Sequence, residues 1–114
     1  MALRLVYPVV FLMLLGCAQG AKRDLPYIKE ARSIAADWAM VNEQALRGNV
    51  RDTYATTMRQ QVRDELTTAG SSIMIPQAVD QLRQLLAEPD DAPPDRLRRH
   101  VEQLKMIEDQ LESA

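Results

Sequence analysis

The sequence predicts an all-α protein, a small bundle of about four helices that follows a cleaved signal peptide. Three observations support this prediction. Beyond residue 24, apolar residues recur every three or four positions in four segments, as they do on one face of a helix. Glycine and proline stand between these segments. Only residues 73–75 have the β-branched character of a strand, and we reject a strand there because a lone strand would lack a pairing partner.

The chain begins with the three parts of a secretory signal. Arg4 supplies a positive charge, an apolar run covers residues 5–15, and the small residue Gly16 precedes Cys17. This run is too short for a membrane-spanning helix, which needs about 20 apolar residues. We therefore expect residues 1–16 to be a cleaved signal peptide. An uncleaved signal anchor, or an ordinary cleaved signal followed by an incidental cysteine, is the alternative interpretation.

The junction Leu14-Leu15-Gly16-Cys17 resembles the lipobox of bacterial lipoproteins, in which leucine, a permissive residue and a small residue precede the modified cysteine. The resemblance implies a diacylglyceryl thioether on the Cys17 sulfur, cleavage between Gly16 and Cys17, and acylation of the new amino terminus, with palmitate as a candidate chain. Because Ala18 follows where an inner-membrane retention signal would have aspartate, it also implies the outer membrane, facing the periplasm. Lipidation would explain an odd cysteine in an oxidising compartment.

The length of the chain limits the number of domains, and its net charge argues against one class of partner. Residues 17–24 would form the lipidated amino terminus and tether, and residues 25–114 are enough for a single domain. The net charge is −2, or −3 without Arg4, so we expect no nucleic-acid partner. Aliphatic side chains must fill most of the core, because few aromatic residues follow the signal: Tyr27, Trp38 and Tyr54.

The first helix is predicted to begin at Pro26, because a first helical position tolerates proline, and to end at Gly48, which can adopt the left-handed closing conformation. Its apolar stripe consists of Tyr27, Ala31, Ile34, Trp38, Val41 and Ala45. Such a stripe fits a bundle face or, less commonly, a coiled-coil seam. Trp38, with Ile34 and Val41 beside it, is accordingly a candidate for the core or for an interaction surface.

Three further helices are predicted from their caps, breakers and stripes. Asn49 is expected to cap a second helix that runs to about residue 68 and forms an antiparallel hairpin with the first. Pro76 would begin a short third helix, which Pro89 terminates. A proline-rich loop then precedes the fourth. The apolar positions of these three helices are Ala55, Met58, Val62, Leu66 and Ala69; Ile75, Val79, Leu82 and Leu86; and Leu97, Val101, Leu104, Ile107 and Leu111.

The loop before the last helix is rich in carboxylates, which bind calcium when their spacing is suitable: Glu88, Asp90, Asp91 and Asp95. A helix-flanked calcium loop needs alternating ligands around a central glycine, and prolines occupy the turn here. We therefore expect no metal site, and we assign Asp91 and Asp95 to stabilising the start of the last helix.

The remaining polar and sulfur-containing side chains indicate no catalytic chemistry. His100, the only histidine, has no nucleophile in a partner pattern, so we expect a helix-surface residue, no cofactor and no enzyme. The cluster Arg96, Arg98, Arg99 and His100 could meet phosphate groups, but we favour a solvated face neutralised by Asp90, Asp91 and Asp95. We expect the methionines to fill gaps in the core rather than to bind copper: Met40, Met58, Met74 and Met106.

Two functional hypotheses follow from these observations. The first is a lipid-anchored cell-envelope protein of structural, accessory or interaction type, attached to the membrane through Cys17 and binding an envelope protein or a second copy of itself. The alternative is a small helical module that binds an apolar ligand between its helices, with Trp38 and Tyr54 lining the space.

Overall fold

The computed structural model describes the backbone of residues 2–114 and the side chains of residues 22–114. Its helices are α1 (Ala2–Leu46), α2 (Asp52–Ser71), α3 (Pro76–Leu86) and α4 (Pro94–Glu112). Residues 2–114 contain no strand, so the prediction of a small all-α bundle with about four helices is confirmed. Gly16 and Cys17 lie outside the described side chains, and the signal peptide and lipobox stay predictions. Within the described residues, no helix combines the length and the hydropathy needed to span a membrane.

The predicted start of the first helix at Pro26 is wrong. Pro26 is exposed inside α1, and residues 22–25 before it are already helical. An internal proline removes one backbone hydrogen bond of the helix. Asp24 offsets this loss, because its side chain is fully buried and makes hydrogen bonds to a distant part of the chain. The last residue of the predicted tether is therefore packed against the domain.

Helix α1 is the central element of the bundle. It packs against both α2 and α4, and α3 packs against α2 and α4 in turn. Ala31, Ile34 and Trp38 of the predicted stripe are buried, whereas Tyr27 at its start is exposed. Because α2 and α4 cover α1 from two sides, the buried face of α1 is wider than a single apolar stripe. The additional buried residues of α1 are Asp24, Ile28, Ala35, Ala39 and Asn42.

The other helices have the predicted apolar faces. Helix α2 continues to Ser71, a few residues beyond its predicted end, and α3 begins at Pro76 as expected. The predicted positions that are fully buried in these helices are Ala55, Val62, Leu66, Ala69, Leu82, Leu97, Leu104 and Ile107. Val79, Leu86, Val101 and Leu111 pack against this core while partly exposed. Except for Ala55, these residues form one continuous cluster with the buried face of α1.

The turn between α1 and α2 confirms one prediction and corrects another. Gly48 has a φ angle of +72°, the conformation that closes a helix at little cost for glycine. Asn49 does not cap α2. Its amide donates to Gln44 Oε1 over 2.7 Å, back toward α1, and the residue at the cap position is Arg51, which makes no side-chain capping bond.

The prediction that the methionines fill the core is wrong for Met40, Met74 and Met106, which are exposed. The alanines of α1 let its neighbours approach closely, and the space between the helices is filled by leucine, isoleucine and tryptophan. A close-packed interior of this kind leaves few irregular gaps for methionine.

Candidate functional site

The most extensive polar network surrounds the loop between α3 and α4. Two side chains of α1 donate to its backbone: Trp38 Nε1 to the Asp90 carbonyl over 2.9 Å, and Asn42 Nδ2 to the carbonyls of Asp90 and Ala92 over 3.0 and 2.9 Å. Arg59 of α2 donates to Asn42 Oδ1 over 2.7 Å, which fixes the orientation of that amide. The donors of α1 are thus used to satisfy buried carbonyl groups.

Arg63 of α2 completes this network. Its guanidinium donates to the Leu86 carbonyl over 2.9 Å, to the Glu88 carbonyl and to the Asp90 carboxylate. It also lies 5.0 Å from the centre of the Trp38 ring, within the range of a cation–π contact. One arginine therefore joins α2, the tryptophan of α1 and the loop. The network therefore positions the loop.

His100 is not the solvated surface residue that the sequence predicted. Its side chain is only 13% exposed and lies between α3 and the loop. Gln81 Nε2 is 2.8 Å from His100 Nδ1, and Glu88 Oε1 is 3.7 Å from Nε2. When the Gln81 amide donates, Nδ1 accepts and the ring proton is on Nε2, facing Glu88. A shallow depression of about 450 Å³ adjoins the ring, lined by Gln81, Gln84, Glu88, Arg96, Arg99, His100 and Gln103. This lining contains no hydroxyl or thiol nucleophile.

The basic cluster of α4 is neutralised, though mostly by residues other than those predicted. Arg96 pairs with Glu88, and Arg98 pairs with Glu43 of α1 and, over 3.3 Å, with Asp95. Of the three aspartates expected to neutralise the cluster, only Asp95 takes part. Arg96 and Arg98 therefore tie α4 to the loop and to α1, whereas Arg99 is exposed and forms no ion pair among the described side chains.

The acidic loop residues face arginines rather than one another. Glu88, Asp90 and Asp95 each form an ion pair with an arginine. Among the side chains that the structure describes, no three His, Cys, Asp or Glu residues lie close enough together to hold a metal ion. Asp95 lies in the first turn of α4, as predicted from the helix dipole, whereas Asp91 is exposed in the loop and lies outside that turn.

A second buried polar contact lies at the other end of the bundle. Asp24 Oδ2 accepts from the backbone amides of Met74 and Ile75 over 2.7 and 2.8 Å, which ties the α2–α3 connection to α1. Its other oxygen, Oδ1, is buried and has no hydrogen-bond partner among the described residues. Sequence analysis missed this site, because its two halves lie about 50 residues apart and neither has a local signal.

Two exposed lysines have a raised pKa. The hydrogen bond from Lys29 to Glu112, together with the attraction of that carboxylate, raises the pKa of Lys29. Asp109 raises the pKa of Lys105 in the same way. Both pairs stabilise the charged lysine, and Lys29 and Glu112 connect α1 with the end of α4.

An apolar groove lies between α2 and α3. It has a volume of about 400 Å³ and is lined by Thr67, Gly70, Val79, Leu82, Arg83, Leu86 and Ala87. Gly70 brings the helices together, because a Cβ atom there would lie 3.3 Å from Leu82 Cδ1. The groove is open to solvent along its length and does not form an enclosed chamber.

The candidate residues from sequence analysis occupy different parts of the fold. Trp38 is fully buried and Ile34 nearly so, while Val41 is half-buried, so these three belong mainly to the core of the single chain. Tyr54, the other proposed wall of a ligand cavity, is 53% exposed and does not line the groove. Comparisons of this chain with protein-family models, with curated proteins and with solved structures found no match.

Proposed function

We propose that this chain is a lipid-anchored protein of the bacterial cell envelope, of accessory or protein-binding type, held at the membrane through acyl chains on Cys17 and facing the periplasm. One observation carries the proposal: a complete lipobox, residues 14–17, stands at the end of a short apolar run. Two or three acyl chains, each methylene contributing about 0.8 kcal/mol, would anchor the chain far more firmly than a single chain does.

The domain supports the accessory assignment over the ligand-binding alternative. The proposed cavity walls are used elsewhere, since Trp38 is buried and donates to Asp90, and Tyr54 is exposed on α2. The apolar groove between α2 and α3 is open, whereas small-molecule sites enclose most of their ligand.

Replacement of the lipobox cysteine tests the anchor. Cys17→Ser should abolish incorporation of labelled fatty acid and membrane retention in a bacterial host, because serine cannot form the thioether. Ala21→Ser is the matched control and should incorporate label like the unchanged chain. Retention of the Cys17→Ser chain in the membrane fraction without label would show that the apolar run itself is the anchor, and uptake of label by that chain would place the acyl group on another residue.

Purification of the lipidated protein from its native membrane separates the two functions. An accessory protein should be recovered with a defined partner protein after mild cross-linking. A carrier should retain an apolar small molecule, which native mass spectrometry would detect as an added mass.

A further inference from the structure

The α2–α3 connection is fixed beside the amino-terminal end of the domain. Asp24 accepts from the amides of Met74 and Ile75, and the Arg23 guanidinium contacts the Met74 sulfur. Residues 22–24 and the connection therefore form one end of the bundle, which we call the anchor-proximal end.

The segment from Cys17 to Lys22 is short, so the anchor-proximal end lies close to the membrane or other partner that holds Cys17. Five residues span at most about 18 Å in any conformation. The opposite end of the domain, at Leu46, lies about 33 Å farther along α1, at 1.5 Å per residue from Asp24. A lipid on Cys17 would hold the anchor-proximal end near the bilayer, whereas the turn after Leu46 would be free to point away.

The exposed side chains of residues 22–24 and 73–75, which define the anchor-proximal end, are basic or apolar. Lys22 and Arg23 are exposed, and within residues 22–114 no carboxylate forms an ion pair with either. Asp24 is buried below them, with one oxygen held by two backbone amides. Tyr27 is 37% exposed and Met74 is 68% exposed.

Three of these side chains, those of Arg23, Tyr27 and Met74, line a depression beside the α2–α3 connection. It measures about 310 Å³ and is lined by Arg23, Tyr27, Ser71, Ser72 and Met74. A guanidinium binds phosphate oxygens, and tyrosine is enriched at the level of the headgroups. The Ser72 hydroxyl can donate to a phosphate, whereas that of Ser71 already donates to the Thr68 carbonyl over 2.7 Å. Basic residues next to a membrane anchor are attracted to anionic lipid.

We propose that the anchor-proximal end of the bundle lies on the headgroups of an anionic phospholipid bilayer, with Arg23 bound to lipid phosphate and Met74 directed into the interface. This inference rests on the proposed membrane anchor. It assigns the domain one orientation, in which α1 rises from the membrane and the turn after Leu46 is farthest from it.

Fluorescence quenching on the full, membrane-attached chain tests this orientation. Cys17 is the only cysteine, so once its sulfur carries lipid, Met74→Cys and Leu46→Cys each provide a single labelling position. In vesicles of zwitterionic and anionic phospholipid with a nitroxide on the headgroup, a fluorophore at position 74 should be strongly quenched and one at position 46 hardly at all. Equal quenching, quenching mainly at position 46, or no quenching at either position would overturn the orientation.

A second pair of variants tests the bound phosphate. Arg23→Gln should lower the ratio of docked to undocked domain by about fivefold on anionic vesicles, since one basic residue is lost from the surface. Arg51→Gln, which removes an exposed arginine at the other end of the bundle, should leave the ratio unchanged. Equal effects of both variants would overturn the assignment of Arg23.

Labelled fatty acid, measured on the same samples, separates the two proposals. If Cys17 carries no lipid but the uncleaved apolar run holds the chain in the vesicle, the anchor fails. The two labelling variants are then made in a Cys17→Ser background, which restores a single labelling position, and the quenching contrast still decides the orientation.

Discussion

Trp38 connects the apolar core with the polar network around the α3–α4 loop. Its ring is fully buried, its indole nitrogen donates to the Asp90 carbonyl, and its face contacts the Arg63 guanidinium. A buried tryptophan needs a partner for its N–H group, and here that partner belongs to the loop. The same side chain therefore contributes both to hydrophobic burial and to the position of the loop.

Truncation of this residue should be among the most destabilising single changes in the domain. Trp38→Ala should lower the free energy of unfolding by about 3–5 kcal/mol, because it leaves a large cavity and removes one of the two hydrogen bonds that the Asp90 carbonyl accepts. Arg99→Ala, at an exposed position of α4, should lower it by about 0.5 kcal/mol or less. Urea denaturation followed by circular dichroism measures both.

A small effect of Trp38→Ala, equal to that of the control, would contradict the buried position. It would indicate that the tryptophan is accessible in the single chain and contacts a partner or a second copy, where tryptophan often dominates binding.

At the level of the elements, the α2–α3 connection is held by a carboxylate from another helix. Ile73 is buried in the core, while Met74 and Ile75 donate their amides to Asp24. Hydrogen bonds to a charged group are stronger than those between neutral groups. We therefore expect Asp24, rather than the sequence of the connection itself, to determine its conformation.

Hydrogen exchange tests this role of Asp24. Asp24→Ala should destabilise the domain by about 1–3 kcal/mol, since two amides lose a charged acceptor. The amides of Met74 and Ile75 should exchange faster, while that of Ser113, which donates to Asp109 at the end of α4, should change less. Uniformly faster exchange would mean that Asp24 supports the whole bundle and does not act on the connection in particular.

At the level of the whole molecule, local periodicity predicts the helices that are covered mainly on one side. The apolar faces of α2 and α4 and the start of α3 at Pro76 follow from the spacing of their own residues. The face of α1 does not, because α2 and α4 cover it from two directions.

The polar contacts could not be predicted for a related reason. Asp24 meets its partners 50 and 51 residues later, and Trp38 meets Asp90 52 residues later. A sequence pattern that spans one or two helical turns cannot predict a contact between residues so far apart in the chain. The sequence thus predicts the helices but neither the loop network nor the true start of the packed domain.

The observed start of the packed domain predicts which residues are needed for cooperative folding. A chain of residues 22–114 contains Asp24 and Ile28 and should be mostly helical, with a single cooperative unfolding transition, because the continuous core lies within it. A chain of residues 26–114, which begins at the predicted helix start, should also be helical. It should be less stable by about 1–3 kcal/mol, because the amides of Met74 and Ile75 lose their acceptor.

Thermal and urea unfolding, followed by circular dichroism, compares the stability of the two chains. Equal stability would show that residues 22–25 do not belong to the folded domain, and a spectrum dominated by coil for residues 22–114 would show that the bundle needs the preceding segment.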